Sequence, residues 1–188
     1  MPDNRMRIAY VHDSPLYESL ETNFRNPSHL YKLGFTDVVI SDQMSGCLYE
    51  ITPNLIAKVD EAIDSGLGVW LMDDLFTLPI ESDAGCPGKE ETWSLTAQAI
   101  RDVIESVPQI RGMVFRYGET FESSNSGLKR VNLLDCNCID CSSINGIDRR
   151  RKVVDLLEKI VCREGGKRCI LRMWDLSDNG IHANRLLQ

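Results

Sequence analysis

Short apolar runs alternate along this chain with longer segments whose apolar residues recur at helical spacing. Runs such as Val38-Val39-Ile40 are uniformly apolar and only a few residues long, which is typical of strands buried on both faces. Segment 52–66 instead opens with Thr-Pro, carries apolar residues at helical spacing and ends at glycine, which is typical of a helix covering a sheet. The pattern predicts five strands at residues 7–11, 37–40, 68–72, 113–115 and 168–174, and four helices at about 27–33, 52–66, 93–107 and 149–162.

The alternation of strands and helices predicts βαβ units and a parallel sheet. Two α/β architectures agree with it: an incomplete (β/α)8 TIM-type barrel of about five strands, and a doubly wound open parallel sheet. The connections after the strands are long and polar, as in a barrel whose active face lies at the carboxyl ends of its strands. No G-x-G-x-x-G motif follows the first strand, so a dinucleotide-binding sheet loses its best support. We therefore predict a single α/β domain over residues 1–188 that is part of a larger barrel.

Polar and charged residues follow every predicted strand at its carboxyl end. A glutamate in this position, such as Glu119, can serve as a general acid when the cleft around it holds little water. Arg116 could hold Glu119 ionised, bind an anionic substrate group, or form a structural ion pair that fixes the loop. We predict Glu119 and Arg116 as catalytic residues. The other exit residues are predicted to bind substrate: His12, Asp13, Asp42, Asp73, Asp74, Tyr117, Trp174 and Asp175.

These predictions depend on convergence of the exit residues on one face. Taken singly, each aspartate is more often a helix cap or a turn residue than a catalyst. Trp174 is equally compatible with a core position and with a platform on which a sugar ring stacks.

Three of the seven cysteines are crowded into a C-x-C-x2-C motif. The C-x2-C spacing is typical of zinc ligands, and a fourth ligand has to come from elsewhere in the chain. Cys86 follows the third strand and is predicted on the same face, with Cys47 and His182 as alternatives. Reduced thiols without metal, or a disulfide, are the other interpretations of the motif. We predict a possible structural zinc site formed by Cys136, Cys138, Cys141 and Cys86.

The charge pattern excludes several classes of protein. The formal net charge is −7, and the basic runs at 149–151 and 167–168 are short, so we interpret them as solvated helix ends and predict no nucleic-acid partner.

No apolar run approaches the ~20 residues of a membrane span, so we predict no membrane partner. The sequence shows no apolar signal core near residue 1, and we expect a cytoplasmic protein. A G-x-S-x-G elbow and a P-loop are both absent, which argues against a Ser/His hydrolase and a P-loop NTPase.

Several segments together resemble the N-terminal half of a (β/α)8-barrel glycoside hydrolase, α-glucuronidase-like or a related carbohydrate-active barrel. They are GFTDVVIS, GVWLMDD, GMVFRYGETF, the C-x-C-x-x-C loop and RCILRMWD. The resemblance implies a carbohydrate ligand, glycosidic bond hydrolysis without a catalytic cofactor, and Glu119 as the acid/base at the end of strand four. Gly118 stands where many such barrels have asparagine. The resemblance places the second catalytic carboxylate on strand seven, which we expect to lie outside this chain.

Two further hypotheses follow from the same residues. The chain could be a non-catalytic, metal-stabilised α/β module that binds a ligand or a partner. A half barrel also exposes unpaired strand edges, which tend to associate, so two copies could complete one barrel as a homodimer.

Overall fold

The computed structural model describes residues 5–11, 26–40, 51–75, 77–79, 86–117, 121–123, 128–130, 138–142, 144, 146–174 and 182–187. The first half holds β1 (Ile8–Val11), α1 (Pro27–Lys32), β2 (Asp37–Ile40), α2 (Pro53–Asp64), β3 (Gly68–Asp74), β4 (Thr77–Pro79) and α3 (Glu90–Ser106). The second half holds β5 (Gly112–Tyr117), β6 (Phe121–Ser123), β7 (Leu128–Arg130), α4 (Ile139–Ser142), α5 (Gly146–Leu157), β8 (Arg168–Trp174) and β9 (His182–Leu187). Helix α5 continues as a π-helical segment over Glu158–Glu164.

The main sheet has the strand order β1-β2-β3-β5-β8-β9, and its first five strands run parallel. These five strands form a curled half-barrel sheet with alternating helices. Because their spatial order follows their order in the chain, every crossover moves in the same direction. A doubly wound sheet reverses its strand order at a switch point, and none occurs among the described strands. The incomplete-barrel prediction is therefore confirmed, and the doubly wound alternative is wrong.

Side chains alternate between the two faces of the sheet. On β3, Val69 and Leu71 belong to the large core cluster beneath the helices, whereas Trp70 and Met72 pack in a separate small cluster with Val114 of β5. The small cluster marks the inner face of the half barrel. This alternation fixes which charged residues of the same strands face inward.

A polar network lies at the amino ends of the strands, opposite to the predicted active face. Asp37 is fully buried and accepts hydrogen bonds from Trp70 Nε1 (3.0 Å), Arg111 Nη1 (2.7 Å) and Thr36 Oγ1 (2.5 Å). Gly68 allows this close packing, because a Cβ atom there would lie 2.5 Å from Asp37 Oδ1. Residues at this end of a barrel contribute to stability rather than to chemistry.

Two strand ends differ from the prediction. Strand β3 continues through Asp73 and Asp74, and β5 continues through Arg116 and Tyr117, whereas the sequence predicted that the chain leaves both strands at these residues. Parallel pairing persists to the pair Asp74–Arg116. The physical reason is that the two opposite charges neutralise each other, so the strands extend although their last residues are polar.

A second, three-stranded antiparallel sheet has the order β4-β7-β6 and was not predicted. It pairs the connection that follows β3 with the connection that follows β5, from Thr77–Arg130 to Pro79–Leu128. Strand β9 was also missed, and it pairs antiparallel with β8 at one edge of the main sheet.

The association of two copies into one barrel, as a homodimer, stays a prediction. None of the helices in the described ranges is long and apolar enough to cross a bilayer.

Candidate functional site

Strands β3 and β5 bring Asp74 and Arg116 into one register position at their carboxyl ends. The Arg116 guanidinium donates from Nε to Asp74 Oδ1 (2.6 Å) and from Nη2 to Asp74 Oδ2 (2.8 Å). Both residues are buried, with 7% of Arg116 and 5% of Asp74 exposed. Two parallel, charge-assisted hydrogen bonds out of water fix both side chains in one geometry. This contact is an ion pair between Arg116 and Asp74, and the catalytic role of Arg116 stays a prediction.

The pair faces the inside of the half barrel. Asp74 is two residues beyond Met72 and Arg116 two residues beyond Val114, and both of these apolar residues pack on the inner face. Arg172 of β8 stands opposite Arg116 in the register and follows Ile170, which packs against the same cluster. One inner layer across β3, β5 and β8 therefore carries one carboxylate and two guanidinium groups.

Sequence reasoning missed Arg172 because it lies within the predicted strand rather than at its exit. The signal that could have found it is the alternation Arg168, Ile170, Arg172 along β8, which places a cation on the inner face two residues before the strand ends.

Asp73 lies apart from this layer. It pairs in register with Phe115, which belongs to the core beneath the helices, so its side chain points to the helix-covered side. Its Oδ1 accepts a hydrogen bond from the Asp74 backbone N–H at 2.5 Å. Of the two adjacent aspartates predicted to bind substrate, the structure places Asp74 on the inner face and Asp73 on the outer.

The structure does not describe the side chains of the remaining exit residues. Tyr117 and Trp174 are the last residues of β5 and β8, and only their backbone is described. The catalytic role of Glu119 and the binding roles of the others stay predictions. The residues outside the described ranges are His12, Asp13, Asp42, Glu119 and Asp175.

Three of the four predicted metal ligands come together. Cys86 Sγ lies 3.0 Å from Cys138 Sγ and 3.4 Å from Cys141 Sγ, and all three sulfur atoms are within 4.8 Å of one another. The prediction that Cys86 joins the C-x2-C pair across a long stretch of chain agrees with this arrangement. Cys136 lies outside the described residues.

Cys86 is positioned by contacts that do not involve its sulfur. The Lys89 N–H donates to the Cys86 carbonyl (3.0 Å), which closes a turn immediately before α3. The buried Trp93 indole donates from Nε1 to the Pro87 carbonyl (2.7 Å). A Cβ atom at Gly88 would lie 2.7 Å from the Asp140 carbonyl carbon, so the turn packs directly on the α4 backbone.

Cys138 and Cys141 are held by a second turn. The Cys141 N–H donates to the Cys138 carbonyl (3.0 Å) as α4 begins. Arg149 of α5 donates from Nε to the Ile144 carbonyl (3.0 Å) and from Nη2 to the Cys141 carbonyl. Because Arg149 is only 6% exposed, the prediction that the run 149–151 is a solvated helix end is wrong for this residue.

Two further cysteines lie on α5 and β8, away from this cluster. Burial raises the pKa of the Cys169 thiol to about 12, with a smaller contribution from Cys162. Burial also raises the pKa of Cys162, and the Glu158 carboxylate adds to the effect. Both thiols, the buried Cys169 and the half-buried Cys162, therefore stay protonated at neutral pH.

Comparisons with known proteins bear on the fold. No protein-family model matches the sequence, and no curated protein matches it. The structure is similar to the galactosidase domain of an α-galactosidase–sucrose kinase, with a TM-score of 0.58 and 11% identity over 90% of this chain and 26% of that one. It is also similar to a GH36 α-galactosidase from Geobacillus stearothermophilus in complex with stachyose, with a TM-score of 0.60 and 10% identity over 90% of this chain and 28% of that one.

A third solved structure points to the same architecture. The GH5_18 protein from Bifidobacterium longum subsp. infantis matches with a TM-score of 0.53 and 12% identity, over 92% of this chain and 46% of that one. This chain therefore spans less than half the length of each of the three structures. None of the three is an α-glucuronidase by name, so that part of the resemblance has no support from them. At such identities the similarity shows a shared (β/α)-barrel fold, and it shows the fold alone.

Proposed function

We propose that this chain is part of a carbohydrate-active (β/α) barrel that hydrolyses glycosidic bonds, with Glu119 as the general acid/base. The observation that supports it most is the charged layer of Asp74, Arg116 and Arg172 on the inner face of the half barrel, near the carboxyl ends of adjacent strands, in which Asp74 and Arg116 are buried. Barrel enzymes hold their active residues at this end of the sheet. The fold shared with three glycoside hydrolase structures agrees with this chemistry.

The ion pair has a definite role in this proposal. It anchors the end of β5 through Arg116, three residues before Glu119 in the chain. Leu75 N–H also donates to the Arg116 carbonyl (3.0 Å), which ties the next residue of the β3 connection to the same strand. A general acid needs a fixed position against the leaving-group oxygen, and a rigid strand end supplies the support for it.

The second carboxylate of the reaction is a separate question. Glycoside hydrolysis takes two carboxyl groups, about 5 to 10 Å apart across the scissile bond. Asp74 is an unsuitable candidate, because both of its oxygens already accept hydrogen bonds from the Arg116 guanidinium. We propose that the second carboxylate lies elsewhere in the barrel, as the sequence resemblance implies.

Two observations favour different classes of sugar substrate. The similarity to two α-galactosidase structures favours an α-galactoside. The sequence resemblance to α-glucuronidase-like barrels favours a sugar that carries a carboxylate. Parallel assays with aryl α-galactosides and aryl α-glucuronides separate the two.

The test of the reaction is Glu119→Gln in the protein that carries this chain. We expect kcat to fall by about 10²- to 10⁴-fold, the usual contribution of a positioned acid, while sugar binding measured by calorimetry persists. Aryl substrates with good leaving groups should lose less activity, since they need little protonation. The control is Glu61→Gln, an exposed glutamate on α2, which should leave kcat unchanged.

Two results would contradict the proposal. Full turnover by Glu119→Gln would remove Glu119 from the mechanism. Tight sugar binding without any turnover by the unsubstituted protein would contradict hydrolysis and favour the non-catalytic ligand-binding module.

A further inference from the structure

We propose that Cys86, Cys138 and Cys141 bind one zinc ion, which clamps two successive βα connections of the half barrel together. The proposal stands on the sulfur cluster and does not depend on the glycosidase function. It assigns a metal site to residues that the sugar chemistry does not use.

The sulfur positions fit a tetrahedral ion. With Zn–S bonds of about 2.3 Å, the sulfur atoms of a tetrahedral site lie about 3.8 Å apart. The distances from Cys86 Sγ to Cys138 Sγ and Cys141 Sγ are 3.0 and 3.4 Å, less than 1 Å short of this value, and all three sulfur atoms lie within 4.8 Å of one another. Side-chain adjustments of less than about 1 Å bring all three sulfurs onto one ion at the expected bond length.

The donor set limits the choice of metal. Three thiolates are soft ligands that favour zinc, copper(I) or an iron–sulfur cluster, whereas magnesium and calcium take oxygen ligands. The C-x2-C spacing of Cys138 and Cys141 is typical of zinc. The group has three members within the described part of the chain, which leaves the fourth position of the tetrahedron for another ligand. Cys141 is fully buried, Cys86 is half-buried and Cys138 is exposed, so an ion can enter from the Cys138 side.

The surroundings offset the charge of such a site. Three thiolates and one Zn²⁺ carry a net negative charge, which is costly beside a buried residue unless a cation lies near. The buried Arg149 guanidinium donates to the Cys141 carbonyl, so a positive charge packs against the buried ligand. The backbones of both turns are set by hydrogen bonds of their own, so the ligands are brought together before any metal arrives.

The clamp would join defined parts of the chain. Cys86 lies in the connection between β3 and α3, and Cys138 and Cys141 lie between β5 and α5. The β4–β7 pairing joins the same two connections. Because these connections follow the strands that hold Asp74 and Arg116, loss of the metal should loosen the loops at that end of the sheet.

Metal analysis of the reduced, purified protein tests the proposal. We expect inductively coupled plasma mass spectrometry to find about one zinc ion per chain, because the three thiolates form one site. Cys86→Ser should bring the zinc content close to zero in the presence of a competing chelator, and Cys138→Ser, at the exposed ligand, should do the same if the first variant fails to fold. Cys162→Ala removes a thiol outside the cluster and should keep the zinc.

Two further readouts separate a ligand role from a structural one. Cobalt substitution should give thiolate-to-metal charge-transfer absorption in the unsubstituted protein and in Cys162→Ala, and not in Cys86→Ser. Chelation should lower the melting temperature of the unsubstituted protein and of Cys162→Ala, and should leave that of Cys86→Ser unchanged. The proposal is overturned by reduced protein without zinc, by zinc content that is insensitive to both serine substitutions, or by a native disulfide between two of the three cysteines.

Discussion

The buried pair of Asp74 and Arg116 allows a quantitative prediction about the strand ends. Removal of one partner leaves the other buried charge without this ion pair, and breaking a buried pair typically costs about 3–5 kcal/mol of unfolding free energy. We expect that cost for Asp74→Leu and again for Arg116→Met, because the two residues are 5% and 7% exposed. The double substitution removes both charges and replaces them with apolar groups of similar volume. It should therefore cost far less than the sum, with a coupling energy of at least about 3 kcal/mol.

Urea unfolding followed by circular dichroism measures all four proteins of this cycle. For a chain of 188 residues, each single substitution should also lower the melting temperature by roughly 6–20 °C, at about 2–4 °C per kcal/mol. The pair of Glu158 and Arg163 supplies a matched control, because Arg163 Nη2 approaches Glu158 Oε1 at 2.7 Å with 71% of the Arg163 side chain exposed. Its double alanine cycle should give a coupling far smaller than that of the buried pair, because solvent screens exposed charges.

One result would refute the reasoning for the buried pair. If its coupling energy fell to the value of the exposed control, water would reach the pair and burial would not strengthen it. A double variant as unstable as the sum of its parts would have the same meaning.

Two further predictions concern other buried polar groups. Asp37→Ala should cost about 3–5 kcal/mol in urea unfolding, because it leaves the buried Trp70 indole N–H without its acceptor, and Asp37→Asn should cost less than half as much; equal costs would contradict this. Unfolding free energy should not depend on Cys169 below about pH 7.5, where both states hold the thiol proton. Above about pH 9 it should fall towards pH 12 by up to about 1.4 kcal/mol per pH unit, since the pKa of Cys169 in the folded state is raised to about 12. Cys169→Ala should show a shallower alkaline slope than the unsubstituted protein, and identical slopes would refute the assignment.

The sequence was sufficient for the parallel strands and the helices that cover them. The apolar runs of β2 and β3 are uniform because both faces of these strands are buried, and Asn26 and Thr52 both cap helices with their side chains as their residue types suggest. These features depend on local chemistry and on one simple period. Local information therefore carries the scaffold.

The strand ends and the small sheet depended on partners far away in the chain. Asp74 is a strand residue because Arg116 lies beside it, and a single strand read alone gives a charged residue no reason to stay in the sheet. The three-residue strand Thr77–Pro79 is too short to show a period and is defined by its partner Leu128–Arg130. The sequence predicted Arg149 as one of three exposed arginines. The carbonyl oxygens that accept its hydrogen bonds belong to Cys141 and Ile144, in a segment for which the sequence predicted no helix or strand.

Three contacts join the β3–α3 unit to the β5–α5 unit. Strand β4 pairs with β7, the three sulfur atoms meet between the two connections, and Lys152 Nζ bonds Glu90 Oε2 at 2.7 Å between the two helices. Glu119 lies between Tyr117, which ends β5, and Phe121, which begins β6, so both ends of its short segment are fixed by paired strands. Strand β6 pairs with β7, and β7 pairs with β4. The contacts that hold the two connections together therefore also hold Phe121, the end of this segment that begins β6. Loss of zinc should therefore reduce the turnover of the proposed glycosidase without changing the buried pair of Asp74 and Arg116, which keeps its own hydrogen bonds within the main sheet.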